Sequence, residues 1–156
     1  GALVLLGERD VQATLDGNPG GVAEAFEYIA TSSGIANQVY VYIDGSSTAT
    51  EVNVGIYGNS VSDTPDTLLT QATLTNPVNG AWNAVTLPPV SVTGAGRYWI
   101  AVLAPSGTGN LRFRDRAGSG TAAAQVSAES DLVSLPPSWS AGNTFSDGPT
   151  SAFVVE

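Results

Sequence analysis

Gln38-Val39-Tyr40-Val41-Tyr42-Ile43, then Asp44-Gly45-Ser46-Ser47, then Glu51-Val52-Asn53-Val54-Gly55-Ile56-Tyr57, is the stretch that decides the fold. Val39, Val41 and Ile43 alternate with Tyr40 and Tyr42. Val52, Val54 and Ile56 repeat the pattern, with Tyr57 on the opposite face. Successive side chains of a strand point to opposite sheet faces, so this period of two predicts strands with one face in a core. The Asp-Gly-Ser-Ser segment supplies the residue types of a tight turn.

Outward from this pair the same signals recur. Strand-like runs fall at 2–6, 11–15, 23–30, 68–74, 81–87, 90–92, 97–103, 110–115, 122–126 and 151–155. A sharp turn at Asp16-Gly17-Asn18-Pro19-Gly20-Gly21 and a corner at Leu135-Pro136-Pro137-Ser138-Trp139 punctuate them. Residues 21–30 also fit one helical stripe through Val22, Phe26 and Ile29, but Glu24, Phe26 and Tyr28 alternate, and the neighbouring runs favour β. The 18 glycines and 9 prolines suit many short strands, and 42% hydrophobic content suffices for a core. The expectation is all-β: an antiparallel β-sandwich of jelly-roll topology with about ten strands. Residues 1–156 read as a single module excised from a larger secreted protein.

The chain has no histidine, cysteine, lysine or methionine, and its five cations are all arginines. That removes an imidazole base, a thiolate, a Schiff-base amine and a zinc cluster. A carboxylate pair would suffice for a glycosidase, but none of the fourteen acids sits in a catalytic signature, so the chain reads as a non-enzyme. A net charge of −9 argues against nucleic acid and anionic membranes as partners. No apolar run approaches a spanning length. Strands, small polar residues and acidity point to a secreted, extracellular protein, where disulfides are optional.

Arg112, Arg114 and Arg116 alternate and would share one strand face opposite Leu111, Phe113 and Asp115. They would either fork onto a polysaccharide or pair with acids on neighbouring strands. Tyr40, Tyr42, Tyr57 and Trp99 lie opposite their strands' aliphatic residues and are candidates for stacking on sugar rings; the alternatives are that some cap the sandwich under loops, or that they face the core in a register one residue off. Trp82 and Trp139 follow corners and read first as plugs, with Trp139 the better candidate for ligand contact because it sits in an irregular tail. Asp16, Asn18 and Glu24, with backbone carbonyls and Asp147 from the closing segment, could form a structural Ca2+ site. The spacing is not that of an EF-hand, since Gly20 takes a ligand position, and an Asx turn without metal is the alternative.

Several short motifs run through the chain in order: Leu5-Leu6-Gly7, Asp16-Gly17-Asn18-Pro19-Gly20-Gly21-Val22-Ala23-Glu24-Ala25-Phe26, Val54-Gly55-Ile56-Tyr57 and Pro65-Asp66-Thr67-Leu68-Leu69. Gly80-Ala81-Trp82, Gly96-Arg97-Tyr98-Trp99-Ile100-Ala101, Phe113-Arg114-Asp115-Arg116, Leu135-Pro136-Pro137-Ser138-Trp139 and Asp147-Gly148-Pro149 follow. Together they resemble a jelly-roll, carbohydrate-binding-module-like domain of secreted bacterial proteins, many of which carry a structural calcium. The resemblance implies a noncatalytic module that tethers an enzyme or surface protein to a polysaccharide or oligosaccharide. The alternative is a structural, self-assembling extracellular module such as a fibre, surface-layer or spacer domain, with self-association as its partner mode.

Overall fold

The computed structural model describes residues 2–118, 120 and 123–156. The strands are β1 (Val4–Gly7), β2 (Thr14–Asn18), β3 (Ala23–Ile29), β4 (Gly34–Ile43), β5 (Glu51–Asn59) and β6 (Pro65–Thr75), then β7 (Ala81–Val92), β8 (Arg97–Leu103), β9 (Leu111–Asp115), β10 (Ala124–Ser127), β11 (Ala141–Phe145) and β12 (Ala152–Val155). There is no helix among the described residues, and 21–30 is a strand. One six-stranded sheet has the order β1-β12-β4-β9-β2, with β7 on the other side of β4. The second has the order β11-β10-β3-β8-β5-β6. Their ladders are antiparallel, as the alternation predicts, with twelve strands among the described residues instead of about ten.

The alternating aliphatics build the core between the sheets. Val39, Val41 and Ile43 of β4 face Val52, Val54 and Ile56 of β5 and Ile100 and Val102 of β8. Phe26 of β3 meets Phe113 of β9 edge to face, with centroids 5.7 Å apart. Each such side chain contributes about 1.5–3 kcal/mol on full burial.

Three local expectations shift. Asp16, Gly17 and Asn18, expected in a turn, extend β2 and pair with Phe113, Arg112 and Leu111, because a ladder to β9 satisfies their backbone groups. Pro88 and Pro89 do not interrupt β7. They fall opposite the irregularity between Ala36 and Gln38, on a strand that pairs only with β4, where a missing N–H leaves no ladder bond unmade. β11 carries no apolar alternation, its residues are mostly exposed, and its sequence gave no strand signal. Of the strand expected at 122–126, Ala122 lies outside the described residues.

The largest correction concerns the outer face of the second sheet. Trp99 and Tyr57 do lie opposite the core aliphatics, but they are 1% and 0% exposed. A second cluster holds them with Ala23, Ala25, Ala101, Leu103 and Leu135, and with Leu68, Leu132 and Trp139 at its margin. Residues 130–139 form a strap across this face. Leu135 N–H donates to Asn53 Oδ1 (2.8 Å), Leu68 N–H to the Pro137 carbonyl (2.9 Å), and Trp139 N–H to the Asp66 carbonyl (3.0 Å). A Cβ on Gly55 would meet Leu135 Cδ1 at 2.8 Å and the Thr70 carbonyl oxygen at 2.7 Å, so a glycine is what lets the strap sink onto β5. Alternation correctly predicts the face of a side chain; it does not reveal a non-strand segment lying over that face.

Candidate functional site

The outer face of the first sheet carries a group of half-buried rings. Tyr40 of β4 pairs in register with Phe153 of β12 and Ala84 of β7, and Tyr42 pairs with Trp82 of β7. Cross-strand partners point the same way, so four rings meet. Tyr40 stacks on Phe153 at 4.8 Å, Trp82 meets Phe153 edge-on at 5.2 Å, and Tyr42 meets Trp82 at 5.7 Å. The Arg9 guanidinium lies over Phe153, 6.0 Å from its centroid. The Tyr40 and Tyr42 hydroxyls and the Trp82 indole N–H have no hydrogen-bond partner among the described residues. Trp82 therefore belongs to an open surface and is no plug. Phe153 was missed because a lone aromatic in a closing strand gives no signal until the register sets it beside Tyr40.

The arginines share this sheet but separate in role. Arg114 Nε donates to Asp44 Oδ1 at 2.7 Å, and Nη1 donates to the Ala13 carbonyl at 3.1 Å, which is the structural pairing. Arg116 lies one residue past β9 and is exposed. Arg112 makes no ion pair among the described residues and lines an open cleft of about 350 Å³ with Leu15, Asp16, Gly17, Asn18 and Asn110. Trp139 is half-buried, edge-on to Tyr57 at 5.2 Å, with its N–H donated to Gln125 Oε1 (3.0 Å). Like Tyr57 and Trp99, it serves the second cluster.

Beside the cleft four carboxylates converge. In the β2–β9 ladder Asp16 lies opposite Phe113, and Thr14 opposite Asp115, so Asp16 and Asp115 both turn inward. β3 brings Glu24 from the second sheet, 2% exposed, and Asn18 Nδ2 donates to its Oε1 at 2.9 Å. Asp147 arrives on the segment before β12. That segment is pinned to β9 by Thr150, whose hydroxyl donates to the Arg114 carbonyl (2.8 Å) and whose carbonyl accepts from Tyr28 (2.6 Å). One oxygen each of Asp16, Asp115 and Asp147 lies within 4.8 Å of the others. Asp115 is 1% exposed, and its Oδ2 is buried with no hydrogen-bond partner.

Such a cluster resists ionisation. Burial pushes the Glu24 carboxyl up to about 7 against the Asn18 bond, and Asp16 and Asp147 add repulsion. Asp115 is raised further, first by burial and then by Asp16, Asp147 and Glu24. Among the described residues no arginine pairs with any of the four. An all-oxygen donor set suits a hard cation. Oxygens around a single Ca2+, each about 2.3–2.6 Å from it, lie no more than about 5 Å apart, and these three fit. Asp16, Asn18, Glu24 and Asp147 are brought together as expected. Asp115 was missed, although alternation already set an acid on a core-facing position.

No family model matches the chain, and neither does any curated protein. Among solved structures it is similar to the crystal structure of chitosan-binding module 1, derived from a chitosanase/glucanase of Paenibacillus sp. IK-5. The identity is 15%, covering 64% of this chain and 71% of that one, with a TM-score of 0.37. Chitosan is what that module's description names; the residues above carry the reading of this chain.

Proposed function

We propose that this domain is a noncatalytic carbohydrate-binding module of a secreted protein, and that its contact face is the ring group Tyr40, Tyr42, Trp82 and Phe153. The observation that carries the reading is the set of open polar tips: two hydroxyls and an indole N–H have no partner among the described residues, beside contiguous ring surface. Sugars offer both an apolar C–H face for the ring and hydroxyls for the tip. Ca2+ at Asp16, Asp115 and Asp147, with Glu24 and Asn18 alongside, would neutralise the buried carboxylates and tie β2, β3, β9 and the closing segment together. Affinities of about 10⁻⁴–10⁻³ M are typical of extracellular calcium modules.

Affinity electrophoresis through gels holding chitosan, cellulose derivatives, xylan or pectate tests the reading. Retardation of the wild type that is lost in Trp82→Ala supports it. Equal mobility in every gel removes it. Contiguous exposed rings also serve protein packing, which keeps a self-assembling structural module as the second reading. Its mark is a hydrodynamic size that grows with protein concentration and falls back in Trp82→Ala.

A further inference from the structure

We infer that the cleft beside the carboxylate cluster is a second ligand subsite, selective for a sugar bearing a carboxylate, a uronic acid unit. This rests on the carbohydrate-binding reading and names a ligand class for a different part of the same sheet.

The chemistry of the walls makes the case. Among the described residues the Arg112 side chain has no ion-pair partner, in a chain of fourteen acids and five arginines, whereas Arg97 and Arg114 each have one. Its stem is seated: a Cβ on Gly17 would meet Arg112 Cδ at 2.7 Å, so the glycine opens the strip of β2 along which the side chain lies. A guanidinium held this way offers a fork that matches a carboxylate. Leu15, 43% exposed, supplies an apolar wall for a ring's C–H face, and Asn110 supplies an amide. Asp16 belongs to both places, lining the cleft and joining Asp115 and Asp147 in the cluster. Without a cation that wall repels an anion. With Ca2+ held there the repulsion is removed, and Arg112 decides the preference. Uronate binding is thus coupled to calcium, while neutral sugars at the ring group are not.

Calorimetric titration of the whole domain with trigalacturonate, cellotriose and acetate, each with calcium or with EDTA, tests this. The expected result is trigalacturonate preferred over cellotriose by about tenfold in calcium, as for a charge-assisted fork, and no preference in EDTA. Arg112→Gln should erase the preference at an unchanged melting temperature. A preference that survives Arg112→Gln, or the absence of any preference in calcium, overturns the inference. Acetate binding as tightly as trigalacturonate would mean a bare carboxylate site and overturns it too. If cellotriose binds and loses binding in Trp82→Ala while no uronate preference exists, the ring face stands and the cleft subsite falls. If neither sugar binds, the cleft subsite falls, and the ring face is decided by the gels holding the other glycans.

Discussion

The two sheets each turn aromatic residues away from the common core, and the two outer faces have opposite fates. On the second sheet Trp99 donates its N–H to Asn59 Oδ1 at 2.9 Å, Tyr57 donates to the Pro136 carbonyl, and Trp139 donates to Gln125, so each polar tip is satisfied and each ring is packed under the strap. On the first sheet Tyr40, Tyr42 and Trp82 keep their tips open and their rings half-covered. A buried aromatic with a satisfied tip adds stability; an open one with an unsatisfied tip is free to use the same chemistry on a ligand. The partner of the polar atom, more than the residue type, separates the two roles.

The largest effect should break the covered face. Trp99→Ala removes a fully buried indole and orphans Asn59, and should cost about 3–5 kcal/mol in denaturant unfolding. Any glycan binding should survive in the folded fraction. If Trp99→Ala keeps full stability and loses glycan binding, the strap does not seal that face and the contrast collapses.

How far the sequence carried this contrast can be seen residue by residue. Alternation in 39–43, 52–57 and 97–103 correctly predicted the sandwich and the side on which Trp99 and Tyr57 lie. It could not reveal the strap, because Leu135-Pro136-Pro137 has no period and docks through backbone groups and the gap at Gly55. The carboxylate cluster was half legible. Asp16 and Asn18 stood out by their turn context, with Glu24 just beyond the turn and Asp147 in the closing segment, whereas Asp115 needed the β2–β9 register to bring it against Asp16.

Next in size is the cation that would brace the end shared by both sheets. Saturation about a hundredfold above Kd should add about 2.7 kcal/mol, and the gain should vanish in Asp115→Asn. The raised carboxyls determine its pH dependence. Glu24 and Asp115 have folded pKa values above their unfolded ones, so without metal the Glu24 contribution is full below 4.5 and is lost as pH rises through about 7, and the Asp115 contribution is full below 3.8 and is lost only as pH rises through about 9. Calcium binds the ionised form, so the gap between melting temperatures in calcium and in EDTA should widen across those windows. A gap that is constant or narrows with pH would place the ion elsewhere.

The open face should respond in binding and hardly in folding. Trp82→Ala and Tyr42→Ala should each weaken glycan binding by about 1–3 kcal/mol, the range for losing a stacking ring, with small changes in melting temperature because both side chains are half-exposed. Loss of stability on the scale of Trp99→Ala would mean that these rings form a third packed cluster.

The smallest effect lies at the boundary between the rings and the cleft, where Arg114 meets Asp44. The Ser46 hydroxyl and amide hydrogen bonds hold the Asp44 carboxyl down to about 2, with Arg114 adding to them. The pair is partly exposed, with side chains 31% and 10% accessible, so Arg114→Gln should cost no more than about 1 kcal/mol and less in high salt. The depressed pKa confines the Asp44 contribution to pH above its unfolded value of 3.8, with loss as pH falls through about 2. Arg114→Gln and Ser46→Ala should therefore both weaken the acid side of the stability curve, Ser46→Ala by removing the hydroxyl bond, the largest single cause, while the Ser46 amide bond stays. Arg112→Gln should leave that side untouched, since no acid among the described residues pairs with it. Matching acid-side losses in Arg112→Gln and Arg114→Gln would make the stripe one structural unit and would remove the distinction between a paired arginine and one left for a ligand.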